Sequence, residues 1–244
     1  MKTIALKFIQ QYISQGGTAL ILLGFSVMHA LVLFVLPNDY NILQGEFADL
    51  ELYFESIPYI LMLLIPAVGM GSFAQEQQWG TLEILLTKPL NRSELVWGKF
   101  LGVLGVVLIW LIPLGLYALA VSELSDARSA FDWGQLLAAS LGILLLCWVW
   151  SAVVVWSSLS TSRQVLALLM SIGINGFLWW GWEQLSLIIP FNSLSDVVLN
   201  WSLNYQFQQW SKGVIHLHGL FYGGFVALLF LWSCRVKLNQ NSDR

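Results

Sequence analysis

Glu76-Gln-Gln-Trp-Gly-Thr-Leu-Glu-Ile-Leu-Leu-Thr-Lys-Pro89 is a short polar and amphipathic island between two long apolar runs. Its second half, Thr81–Thr87, is long enough for about two helical turns. Leu82, Leu85 and Leu86 then share one face, with Glu83 off to the side. Gly80 permits a sharp exit from the preceding run. Pro89 stops the helix, and Asn91 with Glu94 makes the N-x-x-E pattern that starts the next one. A stiff amphipathic stub held at a membrane face by two helices is a mechanical part. Whatever pushes on it moves the helices.

The runs on either side set the fold class. The chain is 57% hydrophobic and 10% charged, against roughly 45–50% and 25% in soluble proteins. A helix needs about 20 apolar residues to cross a bilayer core. Six runs qualify: Ala19–Leu36, Ile57–Phe73, Leu101–Val121, Leu136–Trp156, Val165–Trp182 and Leu217–Cys234. The expectation is an all-α integral membrane protein, one domain over 1–244, with no separate soluble domain. Ala19–Leu36 lacks an A-x-A cleavage pattern and is followed by further spans, so it reads as the first membrane helix and not as a signal peptide. Cys147 and Cys234 lie in apolar runs, far from any CxxC pattern, and read as small hydrophobes.

An even number of spans puts both ends on one side. That side carries Lys2, Lys7, Lys88, Arg92, Lys99, Arg163, Arg235, Lys237 and Arg244, and the other only Arg128 and Lys212. The positive-inside rule then makes both termini cytoplasmic. The island at 76–94 faces the cytoplasm as well, where ATP is.

Smaller features complete the plan. Residues 1–15 carry Ile4, Phe8, Ile9, Tyr12 and Ile13 at helical spacing and read as an interfacial helix. Residues 37–56 form an acidic external loop. The connection 183–215 is too apolar and too long to be structureless. It is expected to hold one or two short external re-entrant helices, broken at Pro190 and capped by Asn192 or Ser193. Trp133, Trp179, Trp180, Trp182, Trp201 and Trp210 fall near the outer boundary, and Trp79 and Trp97 near the inner one, as an anchoring belt. Gly98-x-x-x-Gly102 and Gly219-x-x-x-Gly223 allow close helix approach, here within the subunit.

Several chemistries are missing from the sequence. A phosphate-binding loop needs GxxxxGK[ST], but Gly98-Lys99 is followed by Phe100 and Ser93 stands in the first glycine position. The chain is therefore expected not to be an enzyme, to bind no cofactor and to rely on another polypeptide for hydrolysis. His216-x-His218 is the one candidate metal pair; on a helix the two point to nearly opposite faces, so no metal site is expected. His29 is almost the sole ionisable group deep in a span, which weighs against an ion-driven carrier. No stretch is basic enough for nucleic acid.

The island also carries a resemblance. Glu76-x-x-x-Gly80-Thr81-Leu82-Glu83-x-Leu85-Leu86-Thr87-x-Pro89, followed by Gly98-Lys99-Phe100, resembles the first cytoplasmic loop of ABC type-2 transporter permeases. The likeness is greatest to the Gld-type permeases (GldF) of gliding-motility transporters. Asn41-Ile-Leu-x-x-x-Phe-Ala-Asp-Leu50 and Gly213-Val214-Ile215 with Tyr222 are similar to that family too. The chain departs from the family at Gln75-Glu76-Gln77, where a Glu-Glu-Lys run is common, and at His216 and Gly219, where acids are common.

The resemblance implies a permease subunit of an ATP-driven exporter in the bacterial inner membrane. It makes 81–87 the coupling helix, with Glu76, Gly80, Thr81, Leu82, Glu83, Leu85, Leu86, Thr87 and Pro89 docking on a cytoplasmic ATPase subunit that holds ATP and Mg2+. It makes Tyr205, Phe207, Gly213, His216 and Tyr222 an external gate. The second membrane subunit is another copy or a Gld-type auxiliary protein. The rival readings are a non-transporting scaffold of an envelope or motility complex, and an ion-driven secondary transporter.

Overall fold

The computed structural model describes residues 1–14, 23–24, 26–27, 30–31, 35, 50–86, 91–113, 115–116, 133–190 and 192–240. Every regular element among them is helical: α1 Lys2–Ser14, α2 Leu50–Gly69, α3 Gly71–Gln78, α4 Thr81–Leu86, α5 Arg92–Trp110, α6 Trp133–Ser160, α7 Gln164–Gly176, a π-helical turn Phe177–Gly181, α8 Trp182–Ile188, α9 Asn192–Leu199, α10 Leu203–Ser211 and α11 Leu217–Gln240. Among the described residues, five stretches are long and apolar enough to cross a membrane: Phe54–Gln78, Arg92–Trp110, Trp133–Ser160, Gln164–Ile188 and Leu217–Gln240. They overlap five of the six runs expected from sequence, although the helix of the third begins at Arg92, well before the expected Leu101. The sixth, Ala19–Leu36, lies largely outside the described residues, as does the loop before α2.

α6 is the hub, with α2, α3, α5, α7, α10 and α11 all packed on it. Its composition permits this. Lipid supplies no hydrophobic drive between helices, so close packing must hold them, and small residues give close packing. Ala138, Ala139, Ala152 and the run Val153–Val155 are all buried. Partners approach through glycine: a Cβ on Gly69 of α2 would sit 2.4 Å from Val154 Cγ1, and one on Gly223 of α11 would sit 2.7 Å from Leu145 Cδ1.

α1 does not stand apart from the bundle. It runs in step along α5, with Ile4 against Gly98, Phe8 against Gly102, Ile9 against Gly105 and Tyr12 edge-on to Trp110. A Cβ on Gly98 would lie 2.8 Å from Ile4 Cβ, and one on Gly102 would lie 2.9 Å from Phe8 Cβ. The Gly-x-x-x-Gly pair thus serves packing within the subunit.

Beyond the fourth described span, the connection 183–215 holds two short helices, within the one or two expected. α8 continues the fourth described span, and α9 and α10 follow on either side of a turn at Asn200–Trp201. Ser202 caps α10, accepting from Tyr205 N at 3.3 Å and donating to Trp179 O at 2.9 Å. Asn204 donates to Glu183 Oε2 at 2.8 Å, which ties α10 back to α8. Trp179 and Trp210, expected in the anchoring belt, are 1% exposed and belong to the core. Trp179 meets Trp150 and Phe207 with ring centroids 5.7 and 5.8 Å apart. A short helix laid over the bundle end converts boundary positions into interior ones.

Candidate functional site

The island forms an elbow. α2 ends at Gly69, the chain turns at Met70, and α3 runs to Gln78. The amides of Phe73 and Ala74 are among the first four of α3, which a helix cannot satisfy internally. Both donate to Ser158 Oγ of α6 at 2.9 Å, and that hydroxyl donates to Met70 O at 2.8 Å. One buried serine therefore closes the break. Gln77 Nε2 adds a bond to Leu159 O at 2.9 Å, so α3 is clamped to the last turn of α6.

Gly80 then turns the chain with φ +68, in the left-handed region that glycine enters without strain. α4 follows, and Thr81 Oγ1 reaches back to Glu76 O at 3.3 Å. α4 presents its polar side. Leu82 is 6% exposed and Leu85 packs on the core, whereas Trp79 is 65% exposed and Gly80, Thr81 and Glu83 are also exposed. Leu82 and Leu85, two of the three leucines of the face expected to dock, thus pack into the bundle, because an amphipathic helix buries its leucines on the nearest apolar surface. The Leu86 side chain, Thr87 and Pro89 lie outside the described residues. α5 starts at Arg92 as expected, with Asn91 extended at the cap position, but the Asn91 side chain makes no capping bond.

Glu76, expected to find a basic partner on another subunit, finds one here: it is ion-paired with Lys99 of α5. Lys99 is buried, with its Nζ 5.8 Å from the centroid of the Phe8 ring and 5.7 Å from that of Phe73. Cation–π attraction and the carboxylate together offset desolvation of the ammonium. The pair joins α3 to α5 beneath α1. It borders a cavity of about 500 Å³ between α1, the elbow and the start of α7. Tyr12 reaches Ala67 O at 3.5 Å in its wall, and burial pushes the Tyr12 hydroxyl up to about 12, so it stays a donor.

The five residues expected as an external gate do not form one cluster. Tyr205 and His216 line a common cavity of about 320 Å³ with Gln206, Trp210, His218 and Gly219. Phe207 is buried under Trp179, Gly213 is the φ +86 turn between α10 and α11, and Tyr222 packs on the core. This cavity lies at the other end of the molecule from the elbow. α10 rests on the first turns of α6, through Gln135 Nε2 to Ser211 O at 2.8 Å, whereas the elbow rests on Ser158 and Leu159. The separation along α6 is about 35 Å.

Sequence reasoning passed over Ser158 and Lys99 as site residues. Lys99 carried a signal, a lone cation inside the apolar stretch Val96–Leu104. Ser158 carried none, because serine in a membrane helix is ordinary until its partner is known.

A family model described as ABC-2 family transporter protein matches residues 3–212. No curated protein matches the chain.

Proposed function

The chain belongs to the ABC-2 transporter family, and from that premise we propose that it couples ATP hydrolysis on a partner ATPase to export, with α4 as the coupling helix. The chain is the transmembrane permease subunit, not itself the ATPase. The observation that carries the reading is the clamp. α3 is tied to α6 through Ser158 and Gln77 and to α5 through Glu76–Lys99, so a push on α4 passes into three spans at once. A loosely tethered loop would dissipate the same push.

The exposed surface of α4 supports one mode of docking. Trp79, Gly80, Thr81 and Glu83 form the contact, with Glu83 as the acid for a basic residue of the ATPase. ATP and Mg2+ stay on that subunit. Closure of the motor drives α4 and shifts α3, α5 and α6 together, opening a path outward against a second membrane subunit. The membrane is the bacterial inner membrane, with both termini on the motor side. The stretches 41–102 and 205–225 favour a Gld-type system within the family, with an auxiliary membrane protein as the second half.

Glu83→Lys is the test. In a complex reconstituted with its ATPase, the substitution should cut transporter-stimulated ATP hydrolysis while membrane insertion stays normal, because Glu83 is exposed and supports no part of the fold. Unchanged stimulation would remove α4 from the coupling route.

A further inference from the structure

Two stripes of side chains meet where the start of α5 lies against the end of α11. Ser93, Val96 and Trp97 form the stripe on α5, and Leu228, Leu231, Trp232 and Arg235 form the one on α11. Spacings of three and four residues put each set on one face of its helix. The helices run antiparallel here, with Arg92 bonded to Asn239 at the end of the pair. Between the stripes lies a groove of about 270 Å³. Val96 and Leu231 are its buried floor, while Leu228 and Trp232 are more than half exposed. Ser93 and Arg235 sit at the end nearest Arg92 and Asn239, and the aliphatic residues run inward along two membrane-crossing stretches. Arg235 is exposed, and among the described residues its guanidinium has no ion-pair partner. Arg92 and Lys237 add positive charge at the same end. Glu94 is the acid of that first turn, and it does not line the groove.

We propose that this groove holds an anionic phospholipid, its phosphate at Arg235 and Ser93 and an acyl chain along Val96, Leu228 and Leu231. A guanidinium matches a phosphate with two parallel hydrogen bonds, and a serine hydroxyl can donate a third. Both side chains are accessible at the mouth, so a headgroup reaches them without moving the helices. Trp97 and Trp232 stand one turn further in, the level at which indoles mark the membrane boundary. The aliphatic part of the groove therefore lies at the depth of lipid tails, beyond the reach of a soluble partner. A second membrane helix could cover the apolar walls, but it would strand Arg235 unless it brought an acid of its own; a phospholipid brings its phosphate to that depth in every case. Zwitterionic lipids carry an ammonium that the cations at this end repel, so the preference is for a net negative headgroup, as in other basic pockets between membrane helices. The site is independent of the coupling role of α4.

The test places the whole chain in phosphatidylcholine nanodiscs with rising phosphatidylglycerol and counts, by native mass spectrometry, the lipid that the released protein retains. Saturable retention of phosphatidylglycerol over phosphatidylcholine is expected. Arg235→Gln should weaken it about fivefold, the effect of one cation at a charged membrane surface. Leu228→Trp, which fills the groove from an exposed position, should weaken it as well. Arg163→Gln, an exposed cation outside the groove, should leave it unchanged. Equal retention of the two lipids, or retention unaltered in both groove variants, overturns the proposal. An equal loss in Arg163→Gln does so too, because it would reduce the preference to general surface charge. Displacement by soluble glycerol phosphate would show a site for a free phosphate ester instead, and crosslinking of Trp232→Cys between two copies in phosphatidylglycerol discs would show a second copy in the groove; either result overturns the lipid.

Discussion

Removing the Ser158 hydroxyl strips the partner from two amides and a carbonyl at the elbow. Ser158→Ala is therefore expected to cost about 2 kcal/mol, read as a lower melting temperature in nanodiscs, with Ser160→Ala, whose hydroxyl bonds only within its own helix, as the mild contrast. The Glu76–Lys99 pair gives a second prediction. Lys99→Met alone leaves a carboxylate in a cavity wall and should destabilise by about 2–3 kcal/mol, less than for a fully sealed pair because the Glu76 side chain is 26% exposed. Glu76→Gln combined with Lys99→Met should recover most of the loss in the same melting assay. The two partners are 23 residues apart on different helices. Charge type was legible for each and apolar context for Lys99 alone, but their meeting depends on the elbow, which Ser158 closes from a third helix. No local pattern encodes that.

At the scale of elements, the glycine stripe on α5 is a socket for α1. Gly102→Leu should drive Phe8 outward and raise amide hydrogen exchange across 2–14, while Gly173→Ala on α7, where a Cβ meets nothing within 4 Å, should be neutral or slightly stabilising. Spacing revealed that something approaches α5 closely; it did not reveal that the visitor is α1. α4 teaches the same lesson. Its helix, its glycine turn and its leucine face were all readable from Gly80–Leu86, because each is a local property. Which side meets the bundle was not, because Leu82 chooses among surfaces that only the folded chain provides. The connection after α8 was legible as one or two helices without deciding which, for a related reason. Its apolar residues demanded burial, but a count of helices needs the cap at Ser202 and the Asn204–Glu183 bond, both set by tertiary contacts.

Across the whole molecule, orientation is the property on which charge alone speaks. The bonds agree on which elements share an end: Arg92 at the start of α5 reaches Asn239 at the end of α11, with Nη1 2.8 Å from Oδ1. Cys147 and Cys234 are both buried, so an introduced cysteine reports by itself. In intact cells, Lys212→Cys should react with a membrane-impermeant maleimide, and Gln240→Cys should react only after permeabilisation. The reverse pattern would invert the topology and place α4 where no ATPase could reach it. The break between α2 and α3 matters at this scale as well. Its freed backbone groups are answered by a side chain, so the bend requires no water to complete it. A corner held by its own side chain keeps its shape whether or not solvent fills the hollow beside it.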